Sequence, residues 1–175
     1  MVEEEWFFHE VDHELDITLI KDLISTKRLI EPAPYNVYSG HGDLNQYFFQ
    51  ISDYHHFDYI GKHILENLGK SSKKYSMCDA WTIDGHAGSN HSIHKHNNSD
   101  EPSKGLSILM YLDLPKDMED MKGWFFYIDK SNEVQYIKPR LGTALVFTNQ
   151  ILHGTIEQSS GIRKTFNMGY RENEK

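Results

Sequence analysis

The sequence has little of what marks a secreted, membrane-bound or disulfide-stabilised protein. It contains a single cysteine, Cys78, so no internal disulfide can form, which favours a reducing compartment. No apolar run approaches the roughly 20 residues that a membrane span requires. The acidic start MVEEEWFF lacks the basic and apolar regions of a secretory signal. We therefore expect a soluble, cytoplasmic protein that does not bind membranes.

Basic residues are also in the minority. With 18 Lys and Arg against 26 Asp and Glu, the formal net charge is -8, and no nucleic-acid partner is expected because such binding needs a basic footprint. The charge is uneven: residues 1–16 carry seven acidic side chains and no Lys or Arg, whereas residues 138–171 carry five basic side chains and one glutamate. This asymmetry is either a solvated acidic arm beside a chance basic excess, or a sign of an anionic ligand near the C-terminal segment.

The length and the hydrophobic pattern predict one domain with a helical beginning. The 175 residues, 38% of them hydrophobic, are enough for one substantial core and short for two, so we expect a single domain over residues 1–175. Apolar spacing predicts amphipathic helices over 15–30 and 54–68, with a loop-rich stretch between them. The helical N-terminal part covers about residues 1–72 and a β core covers about residues 73–171.

Short β-type runs separated by turn residues follow from about residue 75. Seven such runs after two helices predict a mainly β sandwich or jelly roll with the helices packed on one outer face. A further strand is available if residues 88–96 or the region around Val37 also pair. The seven runs are 75–83, 106–113, 123–128, 133–137, 143–148, 151–156 and 163–170.

Histidine is abundant, and four of the eleven histidines fall within the segment HAGSNHSIHKH, residues 86–96. In an extended segment His94 and His96 point to the same face, where two imidazoles can bind one divalent metal. Taken alone, such a pair is a weak signal, and a chance pair in a polar loop explains it better than a metal site does.

Residues far downstream favour the metal interpretation. His153 lies at the end of an apolar strand pair, where an imidazole is otherwise costly to bury. Arg163 opens the terminal strand, and Thr165 lies on the same face of that strand. Two or three protein ligands leave positions open on an iron for a bidentate 2-oxo acid and dioxygen, while a guanidinium and a hydroxyl can bind the far carboxylate. The order of these residues is therefore the one that a metal-plus-dicarboxylate site requires.

These motifs resemble the small, prolyl-hydroxylase-like members of the Fe(II)/2-oxoglutarate-dependent dioxygenase superfamily found in bacteria and phages. The resemblance runs from about Trp81 to Tyr170, and the first 70 residues carry no comparable motif. It implies a double-stranded β-helix, the jelly roll that cupins share. In chain order the matching pieces are His94-Lys95-His96, SILMYLD, KGWFFY, KPRLGTALVFTNQILHG and RKTFN.

The resemblance also implies an activity and a set of site residues. The protein would use Fe(II), 2-oxoglutarate and dioxygen to hydroxylate a small-molecule or peptidyl substrate, with release of succinate and carbon dioxide and with ascorbate as an expected stimulant. The sequence specifies neither the substrate nor an oligomeric state. The implied residues are His94, His96 and His153 as catalytic metal ligands, and Arg163, Thr165 and Tyr111 as contacts of 2-oxoglutarate.

One departure from the usual motif leaves alternatives open. The superfamily's first motif is His-x-Asp or His-x-Glu, whereas this chain has His96 at the third position. Either His96 replaces the carboxylate in a three-histidine site, or a nearby carboxylate, Asp100 or Glu101, completes it. Two other functions use the same strands and histidines. One is a cupin-like module that holds Zn²⁺ or no metal, which gives Arg163 and Thr165 no partner. The other is a three-histidine dioxygenase that does not use 2-oxoglutarate.

Overall fold

A computed structural model describes residues 6–27, 40–96 and 105–173, which contain eleven strands, two α-helices and two short 3-10 helices (Ile51–Asp53 and Ser72–Lys74). The α-helices are α1 (Ile17–Thr26) and α2 (Tyr54–Asn67). The strands are β1 (Phe8–Asp12), β2 (Gly40–His41), β3 (Leu44–Phe48), β4 (Tyr75–His86), β5 (Asn90–His94), β6 (Gly105–Asp113), β7 (Phe125–Ile128), β8 (Val134–Ile137), β9 (Thr143–Thr148), β10 (His153–Thr155) and β11 (Ile162–Glu172).

The strands form two antiparallel sheets that face each other. The six-stranded sheet has the order β1-β9-β6-β11-β4-β3, and the five-stranded sheet has the order β2-β5-β10-β7-β8. Side chains of both sheets meet in an aromatic cluster that includes Tyr111, Phe125 and Phe147. This arrangement is the mainly β jelly roll that the sequence predicted.

The alternation along β11 separates the interior between the sheets from the helix-facing core. Arg163, Thr165 and Asn167 are buried on one face. Phe166, Met168 and Tyr170 point the other way and join the main core, where they pack with side chains of both helices. The helices therefore cover the outer face of the six-stranded sheet, and the inner face remains available for a site.

The helix boundaries follow from local hydrogen bonding. Helix α1 begins at Ile17 and not at residue 15, because the Asp16 carboxylate caps it by accepting from the backbone N–H groups of Thr18 and Leu19 at 2.8 and 3.2 Å. It ends at Thr26, and the predicted residues 28–30 lie outside the described part. Helix α2 matches its predicted span and stops before Gly69, which has φ +76°. None of the described helices is long and apolar enough to cross a membrane.

The N-terminal part is not purely helical, because it supplies three strands that the sequence pattern did not predict. β1 pairs with β9, β2 with β5 and β3 with β4. All three are edge strands. Their strand structure therefore depends on the neighbouring strand more than on a two-residue hydrophobic repeat in their own sequence. The predicted extra strand near residues 88–96 is present as β5, whereas Val37 lies outside the described residues. β10 is shorter than the predicted run 151–156, because it spans only His153–Thr155.

Candidate functional site

Strand pairing brings three histidines together. His94 ends β5 and His153 begins β10, and these two residues are direct partners in the antiparallel register. His96 follows two residues after His94. One potential ligand atom from each of the three imidazoles lies within 4.8 Å of the others. The pairing thus places His153, which lies 59 positions after His94, beside the local His-x-His pair.

Each of the three imidazoles has a hydrogen-bond partner at Nδ1. The Nδ1 atom of His94 lies 2.8 Å from the Ser92 carbonyl oxygen, and that of His153 lies 2.9 Å from the Ile151 carbonyl oxygen. A carbonyl can only accept, so both Nδ1 atoms carry the proton and both Nε2 lone pairs are available. Nδ1 of His96 lies 2.6 Å from the Ser107 hydroxyl oxygen.

The same imidazoles are neutral at physiological pH. Burial lowers the pKa of His96 to about 3, and the neighbouring His94 adds to the effect. Burial likewise lowers the pKa of His153 well below its ordinary value and lowers that of His94. A neutral imidazole is the form that binds a metal, so the three side chains are ready to coordinate without losing protons.

Arg163 provides a buried positive charge on the neighbouring strand. Arg163 is 3% exposed. Its guanidinium donates to the Gly123 carbonyl at 2.6 Å and to the Thr155 hydroxyl at 3.2 Å. Its cross-strand partner is Gly85, where a Cβ atom would lie 3.4 Å from Nη2. Among the described residues no carboxylate forms an ion pair with Arg163. Because a buried charge is normally paired, this guanidinium is suited to bind an anion.

Two hydroxyl groups lie near this charge. Thr165 and Tyr111 are cross-strand partners in the β11–β6 register. Asn167 donates to the Thr165 hydroxyl oxygen at 3.0 Å, which leaves the threonine proton free to donate elsewhere. Burial raises the pKa of Tyr111, so its phenol stays protonated and can also donate. The group of three can therefore recognise a carboxylate.

All six site residues named from the sequence line a single cavity of about 160 Å³. The structure thus brings them together, although their roles remain predictions. Asp100 and Glu101, the alternative ligands, lie outside the described residues.

Sequence reasoning missed several residues that line the cavity or support it. His91 pairs with Thr155 and lies beside Arg163, and Trp81 contacts the His96 ring at 5.6 Å between centroids. Ser107 and Asn149 connect to His96 by hydrogen bonds. The alternation of β6 gave a signal for Ser107, since it shares the face of Tyr111. Asn149 follows the end of β9, where alternation gives no guidance.

Several solved structures similar to this chain are 2-oxoglutarate and Fe(II) oxygenases. The viral collagen prolyl hydroxylase of Paramecium bursaria Chlorella virus-1, in a 2-oxoglutarate complex, is similar at 19% identity and a TM-score of 0.67 over 99% of this chain and 100% of that one. A Pseudomonas putida prolyl-4-hydroxylase is similar at 14% identity and a TM-score of 0.62, over 95% and 93%. HygX of Streptomyces hygroscopicus, with nickel and 2-oxoglutarate bound, is similar at 10% identity and a TM-score of 0.64, over 95% and 83%.

These likenesses define the class of fold. The chain has the fold of the 2-oxoglutarate and Fe(II) oxygenases, prolyl hydroxylases among them, as the sequence resemblance predicted. No family model and no curated protein matches the sequence. At these identities the likeness establishes the fold, and the function has to be argued from the site.

Proposed function

We propose that this chain is a single-domain, non-haem Fe(II)- and 2-oxoglutarate-dependent dioxygenase that hydroxylates a small-molecule or peptidyl substrate. The observation that carries the proposal is a buried guanidinium without a carboxylate partner among the described residues, in the same cavity as three converging imidazoles. Arg163 donates to Thr155, which lies two residues from His153 along β10, or about 7 Å of strand. A short dicarboxylate can bridge that separation.

The residues present fit a divalent metal. A hydrogen bond engages Nδ1 on each of the three imidazoles, which leaves Nε2 available for a metal. Three protein ligands leave coordination positions for exogenous ligands. Imidazole ligands alone suit iron, zinc, copper and nickel alike. The donor set therefore supports a metal, while the choice of Fe(II) rests on the fold and on the anion site.

The balance of charge favours a dicarboxylate as the partner of this metal. Three neutral imidazoles leave the full charge of a divalent ion uncompensated, and Arg163 adds a further positive charge. In the usual triad of two histidines and one carboxylate, the protein itself removes one unit of this charge. A dianionic 2-oxo acid that chelates the metal at one end and meets Arg163 at the other would offset most of it.

The chain's own part in the reaction is to bind, orient and exclude water. Arg163 with the Thr165 hydroxyl would hold the far carboxylate of 2-oxoglutarate, and Tyr111 would donate a further hydrogen bond. Phe125 and Phe147 pack on the His153 ring, at 5.4 and 4.7 Å between centroids, and keep that side of the site apolar. Bound Fe(II), 2-oxoglutarate and dioxygen supply the oxidising chemistry, which ends in a hydroxylated product, succinate and carbon dioxide.

The proposal is tested by incubating the protein with Fe(II), 2-oxoglutarate, ascorbate and air without any further substrate, and measuring succinate. We expect slow succinate formation that requires Fe(II). His153→Ala should abolish it while leaving the far-ultraviolet circular dichroism unchanged, and His55→Ala, at an exposed position on α2, should retain it. Stoichiometric metal binding without succinate would favour the metal-binding jelly-roll module, and oxygen consumption without 2-oxoglutarate would favour the three-histidine dioxygenase that does not use it.

A further inference from the structure

We propose that Ser107 and Asn149 are positioning residues that hold His96 as a metal ligand through a hydrogen-bond relay. This inference rests on the metal site of the proposed function. His96 Nδ1 lies 2.6 Å from the Ser107 hydroxyl oxygen, and that hydroxyl donates to the Asn149 side-chain carbonyl oxygen at 2.8 Å. A serine has one proton, so once it is given to Asn149 the hydroxyl must accept from His96. The relay therefore protonates Nδ1 of His96 and leaves Nε2 free for a metal.

The relay differs from the support of the other two ligands. His94 and His153 each donate to a carbonyl two residues earlier in their own segment, so the local backbone fixes these rings. The ring of His96 depends instead on side chains from β6 and from the turn after β9. His96 stands where the usual motif has a carboxylate. Of the three imidazoles, it is the one whose orientation depends on two residues distant in sequence, Ser107 and Asn149.

The surrounding backbone is arranged to keep Asn149 in place. The His96 N–H donates to the Asn149 carbonyl at 3.0 Å, and the Asn149 N–H donates to the Gly105 carbonyl at 3.0 Å. A Cβ atom at Gly105 would collide with the Asn149 amide, lying 2.8 Å from its Cγ atom. The absence of a side chain at residue 105 therefore provides the space that the amide occupies.

Apolar packing alone does not account for this pair. Ser107 and Asn149 are 2% and 1% exposed, and burying their polar groups is costly unless they are hydrogen-bonded. Phe147, the cross-strand partner of Ser107, and Trp81 both contact the His96 ring. An alanine at residue 107 would be enough to complete this apolar packing. A serine that bridges the imidazole to an amide instead supports a metal ligand.

The test measures Co(II) binding by competition with a chelator, together with the visible ligand-field spectrum of the Co(II) protein. Ser107→Ala and Asn149→Leu should each lower Co(II) affinity by at least ~10-fold and change the spectrum, as expected for loss of a group that supports a ligand. Asn149→Asp keeps the acceptor oxygen and should retain affinity. Thr148→Val is the matched control, since it removes a buried hydroxyl beside Asn149 that has no hydrogen-bond partner among the described residues, and it should leave affinity and spectrum unchanged.

A double-mutant cycle separates positioning from general destabilisation. In a His96→Ala background, Ser107→Ala should have no further effect on Co(II) affinity, because the relay has lost its target. Wild-type affinity and spectrum in Ser107→Ala would overturn the relay, as would equal losses in Asn149→Asp and Asn149→Leu. Co(II) binding needs no 2-oxoglutarate, so relay-dependent binding without succinate formation would refute only the proposed function, and succinate formation with a relay-independent site would refute only the relay.

Discussion

At the scale of single residues, the proposed function predicts that recognition of the diacid depends on Arg163. Replacing it by alanine removes a charge-assisted pair worth ~1.5–3 kcal/mol, so 2-oxoglutarate affinity should fall by about 10- to 100-fold while metal affinity stays nearly intact. Arg163→Lys should recover little, since an ammonium group cannot reproduce the planar guanidinium. Titration calorimetry of the Co(II)-loaded protein with 2-oxoglutarate measures both effects.

Lys164 is the natural control for that experiment. It is adjacent in sequence, lies 3.5 Å from the Asp84 carboxylate on the other face of β11 and is partly exposed. Lys164→Ala should bind 2-oxoglutarate as the wild type does. Unchanged affinity in Arg163→Ala would remove this residue from the site.

The third ligand gives the second residue-scale prediction. His96→Ala should lower Fe(II) affinity by at least ~10-fold, because one of its ring nitrogens belongs to the converging group. Asp100→Ala should change the affinity little, and His96→Asp should still bind iron because it restores the usual motif. Equilibrium dialysis with Fe(II) under argon provides the measurement. A metal-competent His96→Ala together with a metal-free Asp100→Ala would show that a carboxylate completes the site.

At the scale of secondary-structure elements, the close pairing of β5 with β10 sets the distance between His94 and His153. A Cβ atom at Gly154 would lie 2.6 Å from the His91 backbone oxygen and 2.7 Å from the Phe126 ring. Gly154→Ala should therefore push the two strands apart and lower Co(II) affinity, as measured by chelator competition.

Gly61→Ala provides the comparison for that substitution. A Cβ atom there would lie 2.6 Å from ring carbons of Tyr170, between α2 and the outer face of the six-stranded sheet. This variant should lower the free energy of unfolding by about 1–3 kcal/mol, typical of overpacking, yet keep its metal affinity. Equal losses of metal affinity in the two variants would mean that β5–β10 pairing has no special role.

The elements also show which features a sequence can predict. β6, β9 and β11 were predicted because they are apolar runs bounded by turn residues, and the shared face of His94 and His96 followed from the two-residue repeat of a strand. β1 and β3 lack such a run, and their assignment depends on pairing with β9 and β4. The link from His96 to Ser107 and Asn149 depends on how β5, β6 and β9 are placed relative to one another, which a linear pattern does not encode.

At the scale of the whole molecule, the uneven charge divides into two parts. Arg140 lies 3.9 and 3.3 Å from the Glu10 and Asp12 carboxylates, so part of the basic excess pairs with the acidic N-terminal region. Arg163 instead points into the interior between the sheets. The solvated acidic arm and the anionic ligand, which were alternative explanations of the charge pattern, therefore concern different residues. Only the buried Arg163 bears on a ligand.

Buried neutral histidines should make the metal-free protein sensitive to acid. With a folded-state pKa of about 3 for His96 against 6.5 when unfolded, the unfolded chain binds more protons between these values. The histidine's contribution to stability is therefore present above pH 6.5 and is lost as the pH falls towards 3, by at most about 2 kcal/mol at pH 5. Urea unfolding at pH 7 and pH 5 should show a smaller difference in His96→Gln, and an unchanged difference would contradict this burial.

The most direct measurement is an anaerobic titration of the Fe(II)-loaded protein with 2-oxoglutarate, followed by visible absorption. If the three histidines and Arg163 hold the metal and the diacid together, a charge-transfer band of the Fe(II) 2-oxo acid chelate should grow and saturate at one 2-oxoglutarate per chain. Succinate, which lacks the 2-oxo group, should produce no such band, and neither should His153→Ala with 2-oxoglutarate. Stoichiometric Fe(II) binding with no band at saturating 2-oxoglutarate would contradict the account.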